Sequence, residues 1–344
     1  KRCIQWDGCG YGGGSCDPRV IWSHVSRGAP FVCEPAGTPD LATPCDRKTH
    51  LPGGPLETVV VLTQPQWGAY YHFLVDSLSR IAWVQEQYPE VVKDNATLFH
   101  TGMVSQVGQD WARMAGIRTS IGEGNRLLDG TWAAKTVYFP PANKCANERI
   151  GADVFAIKYL RNMVASHMGV QHAQADGPRV VLVVQRKKTM DRRVINHQAV
   201  LTEVEKMFKV AEGSGWVVKV FSDFPSVPPV REGCQMFRDA DVVIGPHGAG
   251  FANLLCARKG VPLVEFQQRS HAWDYELLAT KLGLPYFGVR TKTDHYSPGR
   301  VDLELLRPAL RGAWEIAMNK ASVGDDDNDV SRPASAMMTT TTAL

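Results

Sequence analysis

The chain of 344 residues lacks any uncharged apolar run near the roughly 18 residues that a membrane-spanning helix requires. It lacks a surplus of either charge as well. Its 38 Lys and Arg stand against 35 Asp and Glu, a net of +3, so nothing in the balance supports a nucleic-acid partner. None of its eight cysteines forms a Cys-x-x-Cys pair, which weakens a zinc site. No segment repeats at a fixed period, although the two halves share an alternating pattern. One glycine is missing where it would matter: Gly248-Ala249-Gly250 is followed by Asn253, where the dinucleotide fingerprint G-x-G-x-x-G carries a third glycine.

What is present describes a globular chain. Its 44% hydrophobic and 21% charged residues suffice for substantial cores, and its length suits two domains. Five cysteines (Cys3, Cys9, Cys16, Cys33 and Cys45) fall in the first 45 residues among many Gly and Pro. That stretch buries too little apolar surface to hold itself without cross-links. Together with the glycosylation sequon Asn95-Ala96-Thr97, it predicts an oxidising compartment, the lumen of the Golgi or endoplasmic reticulum. A membrane would be reached only through an anchor upstream of Lys1.

Strand and helix patterns alternate along the rest. A cysteine-rich segment covers 1–57 and an α/β domain covers 58–170, including a long helix pattern over 67–89. A turn-rich hinge near 170–178 leads to a second α/β domain over 171–310. A helix end follows over 311–321, and a tail rich in Asp, Ser and Thr over 322–344 reads as disordered. Such alternation predicts α/β architecture with parallel sheets, as two facing Rossmann-like domains with a cleft between them. Ligands of such sheets bind beyond the carboxyl ends of the strands.

That rule singles out "VVIGPHGAG", which places Gly245 at a strand end and runs straight into a helix pattern. Glycines there let a ligand approach the backbone, and a helix start favours an anion. His247, Gly248, Ala249 and Gly250 are therefore candidate contacts. Glu265, at the end of the next strand, is suited to accept hydrogen bonds from ribose hydroxyls. Arg186 follows another strand end, and Arg192 and Arg193 precede a helix whose N-cap is Asn196. Guanidinium groups so placed can neutralise a diphosphate. Asp239 and Asp241 spell the Asp-x-Asp of metal sites but precede their strand, at the wrong end, so no metal site is assigned.

"VVIGPHGAGFANLL", "PLVEF", "YELLATKLGLPY", "WGAYYHFLVDSLSRI" and "QRKKTMDRRVINHQAV" resemble, in order, segments of glycosyltransferase family 61. The resemblance spans roughly residues 58–310 and implies a GT-B-like fold. It implies inverting transfer of a sugar, xylose or GlcNAc foremost, from a UDP-sugar to a glycan or glycoprotein hydroxyl. No metal or other cofactor is implied, and Arg186, Arg192, Arg193, Asn196 and the 247–250 turn would hold the donor.

Inversion needs a base near the acceptor hydroxyl. His72 and Asp76 lie four apart on one helical face, which Arg80 continues, and either His72 or Asp76 could take the proton. Trp67, Tyr70 and Tyr71 offer flat surfaces for an acceptor sugar, with Arg80 beside them. Trp273, Asp274 and Tyr275 follow Glu265 and are further candidates for base or sugar contacts. Two rival readings share part of the pattern. One is a non-catalytic nucleotide-sugar- or glycan-binding homologue, and the other is a dinucleotide-dependent oxidoreductase.

Overall fold

Valine-rich runs such as Arg179–Gln185 bury every residue between their ends, and strands covered on both faces pair in parallel. The computed structural model describes residues 56–62, 69–101, 105–117, 127–128, 134–140, 154–168, 177–187, 191–210, 214–268, 273–292, 294 and 297–320, with short strands elsewhere. Of the cysteine-rich start, strand β1 (Arg2–Gln5) pairs antiparallel with β2 (Ile21–His24), and β3 (Val32–Cys33) with β4 (Thr43–Pro44). The pairing of its cysteines, and the tail from 322 apart from Thr339–Thr342, lie outside the described residues.

The chain divides into two compact units, Lys1–Met163 with Ser331–Leu344, and Val164–Val330. In the first, β5 (Leu56–Val61) pairs in parallel with β6 (Leu98–His100) on one side and β8 (Ala134–Phe139) on the other. Strand β7 (Leu127–Leu128) extends the sheet beyond β6, and β14 (Thr339–Thr342) lies antiparallel beside β8. The strand order reverses between β5 and β8, which makes that point a crevice at the carboxyl ends.

The helix pattern over 67–89 resolves differently from the single amphipathic helix that its periodicity predicts. A π-turn spans His72–Ser77, a 3-10 turn Leu78–Arg80, and α1 runs from Ile81 to Gln87, followed along the chain by α2 (Pro89–Lys93), α3 (Gln106–Met114) and α4 (Val154–Met168). Every residue from Phe73 to Val84 is buried, so the element is covered all round. Arg80 therefore continues no accessible face. Its guanidinium donates to the carbonyls of Leu62 (2.9 Å) and Pro140, the residues that follow β5 and β8. It ties the two strand ends together at the crevice, and burial pulls its pKa down to about 9, still cationic at neutral pH.

The second unit has five strands, all parallel: β9 (Arg179–Gln185), β10 (Trp216–Ser222), β11 (Val242–Pro246), β12 (Leu263–Gln267) and β13 (Tyr286–Arg290). Their order is β10-β9-β11-β12-β13, so the chain reverses direction across the sheet between β9 and β11. The core gathers Val181, Val183, Ile244, Val264 and Val289 from the sheet with Val200, Val204 and Phe208 at α5 (His197–Met207). Leu306, Leu310 and Ala313 join them from α8 (Leu303–Lys320). The predicted α/β architecture is realised in both units.

A disulfide joins Cys234 of α6 (Val230–Asp239) to Cys256, the last residue of a 3-10 helix that starts at Ala249. It ties the glycine turn's helix to α6 across 22 residues of chain. Loop-closure entropy for that span predicts that C234A/C256A loses about 3 to 3.5 kcal/mol of stability, read as a lower urea midpoint with an unchanged activity profile below it.

Candidate functional site

The reversal between β9 and β11 puts two strand ends side by side without a crossover above them, which leaves a crevice. Arg186 leaves the end of β9 and the turn His247–Gly250 leaves the end of β11. A Cβ placed on Gly248 would lie 2.3 Å from Arg186 Nη1, so the absence of a side chain is what admits the guanidinium. Behind it, a Cβ on Gly245 would meet Val184 Cβ at 2.7 Å and its carbonyl oxygen at 2.9 Å, which fixes glycine there too. Ala249 and Gly250 open the 3-10 helix Ala249–Cys256, whose first N–H groups have no carbonyl within the helix.

Arg192 lies close enough to Arg186 to be felt. Burial, and then the neighbouring Arg192 charge, lower the pKa of Arg186, while Asp223, Tyr275 and Asp191 oppose the shift. Two half-buried guanidiniums facing one another are an unfavourable arrangement that a shared anion relieves. Arg192 stands at φ 59°, in the left-handed region, with its N–H donating to Ser297 O at 3.0 Å. Next to it Gly299 N–H donates to Arg193 O at 2.7 Å, so the basic loop is pinned by its backbone.

His247 is buried, and its Nδ1 lies 2.6 Å from Glu265 Oε1. The other oxygen, Oε2, accepts from the Tyr286 hydroxyl at 2.5 Å, and that hydroxyl accepts from Gln267 Nε2 at 2.6 Å. Burial, and then the charge of Glu265, push the Tyr286 pKa up, which keeps its proton available for donation. Tyr275 of α7 (Asp274–Leu282) sets its ring edge-on to His247 with centroids 4.8 Å apart. Asp274 Oδ2 stands 3.9 Å from His247 Nε2.

The sheet register explains the cluster. Glu265 is paired with Gly245 on one side and Gly288 on the other. Alternation along strands then puts Tyr286, Gln267 and His247 on the face that Glu265 occupies. Two glycine neighbours leave room for the longer side chains to close over the carboxylate.

Several expected roles change. Glu265 has no exposure and spends an oxygen each on His247 and Tyr286, so it orients His247 instead of meeting a ribose. Asn196 does not cap α5 with its side chain. Its amide brackets Val301, donating to the carbonyl at 2.9 Å and accepting from the N–H at 3.0 Å, which makes it a brace for the basic loop instead of a ligand contact. Tyr71 is buried, with its ring edge-on to His72, so it offers no stacking surface, and Arg80 is the buried strand-end tie described above. Trp67 lies outside the described residues, while Trp273 is exposed. Asp241 accepts from Arg258 Nη2 at 2.7 Å and from Val180 N–H at 2.8 Å, at the amino end of β11. Tyr286 and Gln267 were missed; polar residues two apart in apolar strands are the signal that could have found them.

In the first unit the structure brings His72 and Asp76 together, with Nδ1 and Oδ2 2.6 Å apart. Asp76 is buried and the His72 side chain is 24% exposed, so the carboxylate orients a ring that solvent reaches. That arrangement resembles the orienting pair of an acid–base histidine.

The crevice is thus a cationic, glycine-floored notch suited to an anion. Gly248→Ala should displace the Arg186 guanidinium, the movable partner in that contact, and should strain a backbone held at φ 159°, a conformation that essentially only glycine adopts. Calorimetric titration with pyrophosphate is expected to show binding weakened on the order of tenfold to a hundredfold, alongside a stability loss of about 1–3 kcal/mol from the strain.

The Glycosyltransferase 61 family model matches residues 70–264, more than half of the chain. No curated protein sequence matches it. Among solved structures, the bacterial iron-containing dodecameric glycosyltransferase TibC from enterotoxigenic E. coli is 13% identical. That likeness covers 78% of this chain and 76% of that one, with a TM-score of 0.36. The E. coli heptosyltransferase WaaC with ADP is 11% identical over 76% of this chain and 99% of that one, with a TM-score of 0.38. The flavodiiron protein from Giardia intestinalis is 13% identical over 56% of this chain, at a TM-score of 0.29, and the chain spans 46% of its length.

Proposed function

Because the chain belongs to glycosyltransferase family 61, we propose that its β9–β11 crevice holds the diphosphate of a UDP-sugar, with xylose or GlcNAc as the transferred sugar. The observation that carries this reading is Arg186 lying against Gly248 at the switch point of the second sheet, with Arg192 beside it. As the sugar–phosphate bond breaks, charge grows on the departing diphosphate. Fixed guanidiniums in a half-buried crevice stabilise that charge without rearranging. Transfer proceeds without a metal ion, because the arginines supply the positive charge. His247, oriented by Glu265 at Nδ1, offers Nε2 at the rim of the crevice.

Reaction by a single displacement inverts the anomeric centre and requires a base for a glycan or glycoprotein hydroxyl. His72 is that base in our reading, with Asp76 holding its ring. The protein works in the lumen of the secretory pathway, a reading supported by the Cys234–Cys256 disulfide and by exposure of Asn95 in its sequon turn. No helix among the described residues is long and apolar enough to cross a membrane.

A panel of nucleotide-sugars assayed for UDP release, with and without chelator, tests the proposal. Turnover with a UDP-sugar that persists in chelator is expected. Binding without turnover on any donor or acceptor would return the protein to the class of non-catalytic homologues.

A further inference from the structure

Strand β12 carries two polar side chains, Glu265 and Gln267, and both are buried. A carboxylate in the middle of a sheet is weak evidence for stability, because well-packed apolar residues serve a fold as well or better. What Glu265 touches is therefore informative. Its Oε1 meets His247 at the rim of the crevice, and its Oε2 meets Tyr286 on β13, on the side away from the crevice. Gly288 pairs with Glu265 across the same two strands, and a Cβ on it would lie 2.7 Å from Gln267 Nε2. Glycine there admits the amide that reaches the Tyr286 hydroxyl.

The direction of every proton in this chain follows from its far end. Gln267 Nε2 can only donate, so the Tyr286 oxygen accepts there and spends its one proton on Glu265 Oε2. The carboxylate keeps its lone pairs at Oε1 for His247, whose Nδ1 at 2.6 Å is then the donor. With Nδ1–H committed, a neutral imidazole would present only a lone pair at Nε2, which repels a diphosphate oxygen. The doubly protonated ring presents an N–H there instead. An ionised Glu265 on one side of the ring, and Asp274 Oδ2 3.9 Å from Nε2 on the other, favour that form.

We propose that Tyr286 is a positioning residue of the donor site: by donating to Oε2 it fixes the rotation of the Glu265 carboxylate and holds it ionised, and so maintains the Nδ1–H bond that aims His247 Nε2 at the diphosphate. The proposal rests on the reading that the crevice holds a diphosphate. Tyr286 acts in it only through Glu265 and His247, and touches no ligand itself.

Calorimetric titration of the whole chain with inorganic pyrophosphate tests it through a cycle of Tyr286→Phe, His247→Ala and the double variant. Tyr286→Phe alone should weaken binding about fivefold to tenfold. In the His247→Ala background the same change should weaken it by less than about twofold, because no imidazole is left for the carboxylate to hold. Equal factors in the two backgrounds mark a tyrosine that only braces strands, and overturn the proposal; so does a Tyr286→Phe variant that binds like the wild type. If Tyr286→Phe fails to fold, Gln267→Leu takes its place under the same criteria: it frees the hydroxyl to turn from Glu265, and should weaken binding about threefold. A wild type that binds no pyrophosphate overturns the diphosphate reading, and nitrogen-15 spectra of histidine-labelled protein then decide Tyr286 alone. Loss of the hydroxyl should draw the shared proton toward Glu265 and move the His247 Nδ1 signal. An unmoved signal overturns the positioning role.

Discussion

Arg186→Ala will lower kcat/KM for the sugar donor on the order of 10²- to 10³-fold, the loss seen when one fixed donor to a developing charge is removed. The size follows from where the guanidinium stands. It is half-buried at the one point of the second sheet where strand order reverses, against a glycine that leaves its Nη1 room. Because charge on the diphosphate is greater in the transition state than in the bound donor, kcat should fall more than KM rises. Stability should respond in the opposite sense or hardly at all. Arg186 is desolvated and faces Arg192, so its removal relieves a like-charge contact even as it forfeits attraction to Asp223. Steady-state UDP release and a thermal melt of the same preparation check both halves. A kcat/KM within about threefold of wild type, or a loss of activity that merely tracks unfolding, would falsify the assignment of Arg186 to the leaving group.

The alternating elements and most of their bounds follow from apolar runs and their periods, which report burial directly. What escaped the sequence was anything set by register. Strand β13 was missed because it is a half-covered edge, with only Val289 of its five residues buried, so it shows no continuous run. The segment 72–87 reads as amphipathic because Asp76, Ser77, Ser79 and Arg80 look like a wet face. Ser79 in fact donates to Val75 O at 2.5 Å, and Arg80 meets two strand-end carbonyls. At the site, Arg186 and the glycine turn were visible because strand-end position and residue type suffice to mark an anion notch. Glu265 was misassigned for the complementary reason. Its neighbours Gly245 and Gly288 come from strands 20 residues before and 23 residues after it, and only the paired sheet shows that both are glycine.

Glu265→Ala is expected to cost about 4 kcal/mol, near the range for breaking a buried, hydrogen-bonded charged group. The carboxylate is fully buried in the middle of the sheet and serves both His247 and Tyr286. Its loss leaves the hydroxyl of Tyr286 and Nδ1 of His247 without the acceptor each now has, and opens a void floored by two glycines. For a unit the size of Val164–Val330, this lowers its melting transition by roughly 10 °C. Glu265→Gln keeps the volume and one acceptor oxygen, so its cost should be about half as large. Its effect on chemistry should be disproportionate, since an amide can donate to Nδ1 and so move the imidazole proton to Nε2. Nitrogen-15 spectra of histidine-labelled protein would register that change of tautomer, with the His247→Ala spectrum assigning the signal. If Glu265→Ala melts with the wild type, the carboxylate is not carrying the cluster, and the orientation of His247 must come from Tyr275 and Asp274 instead.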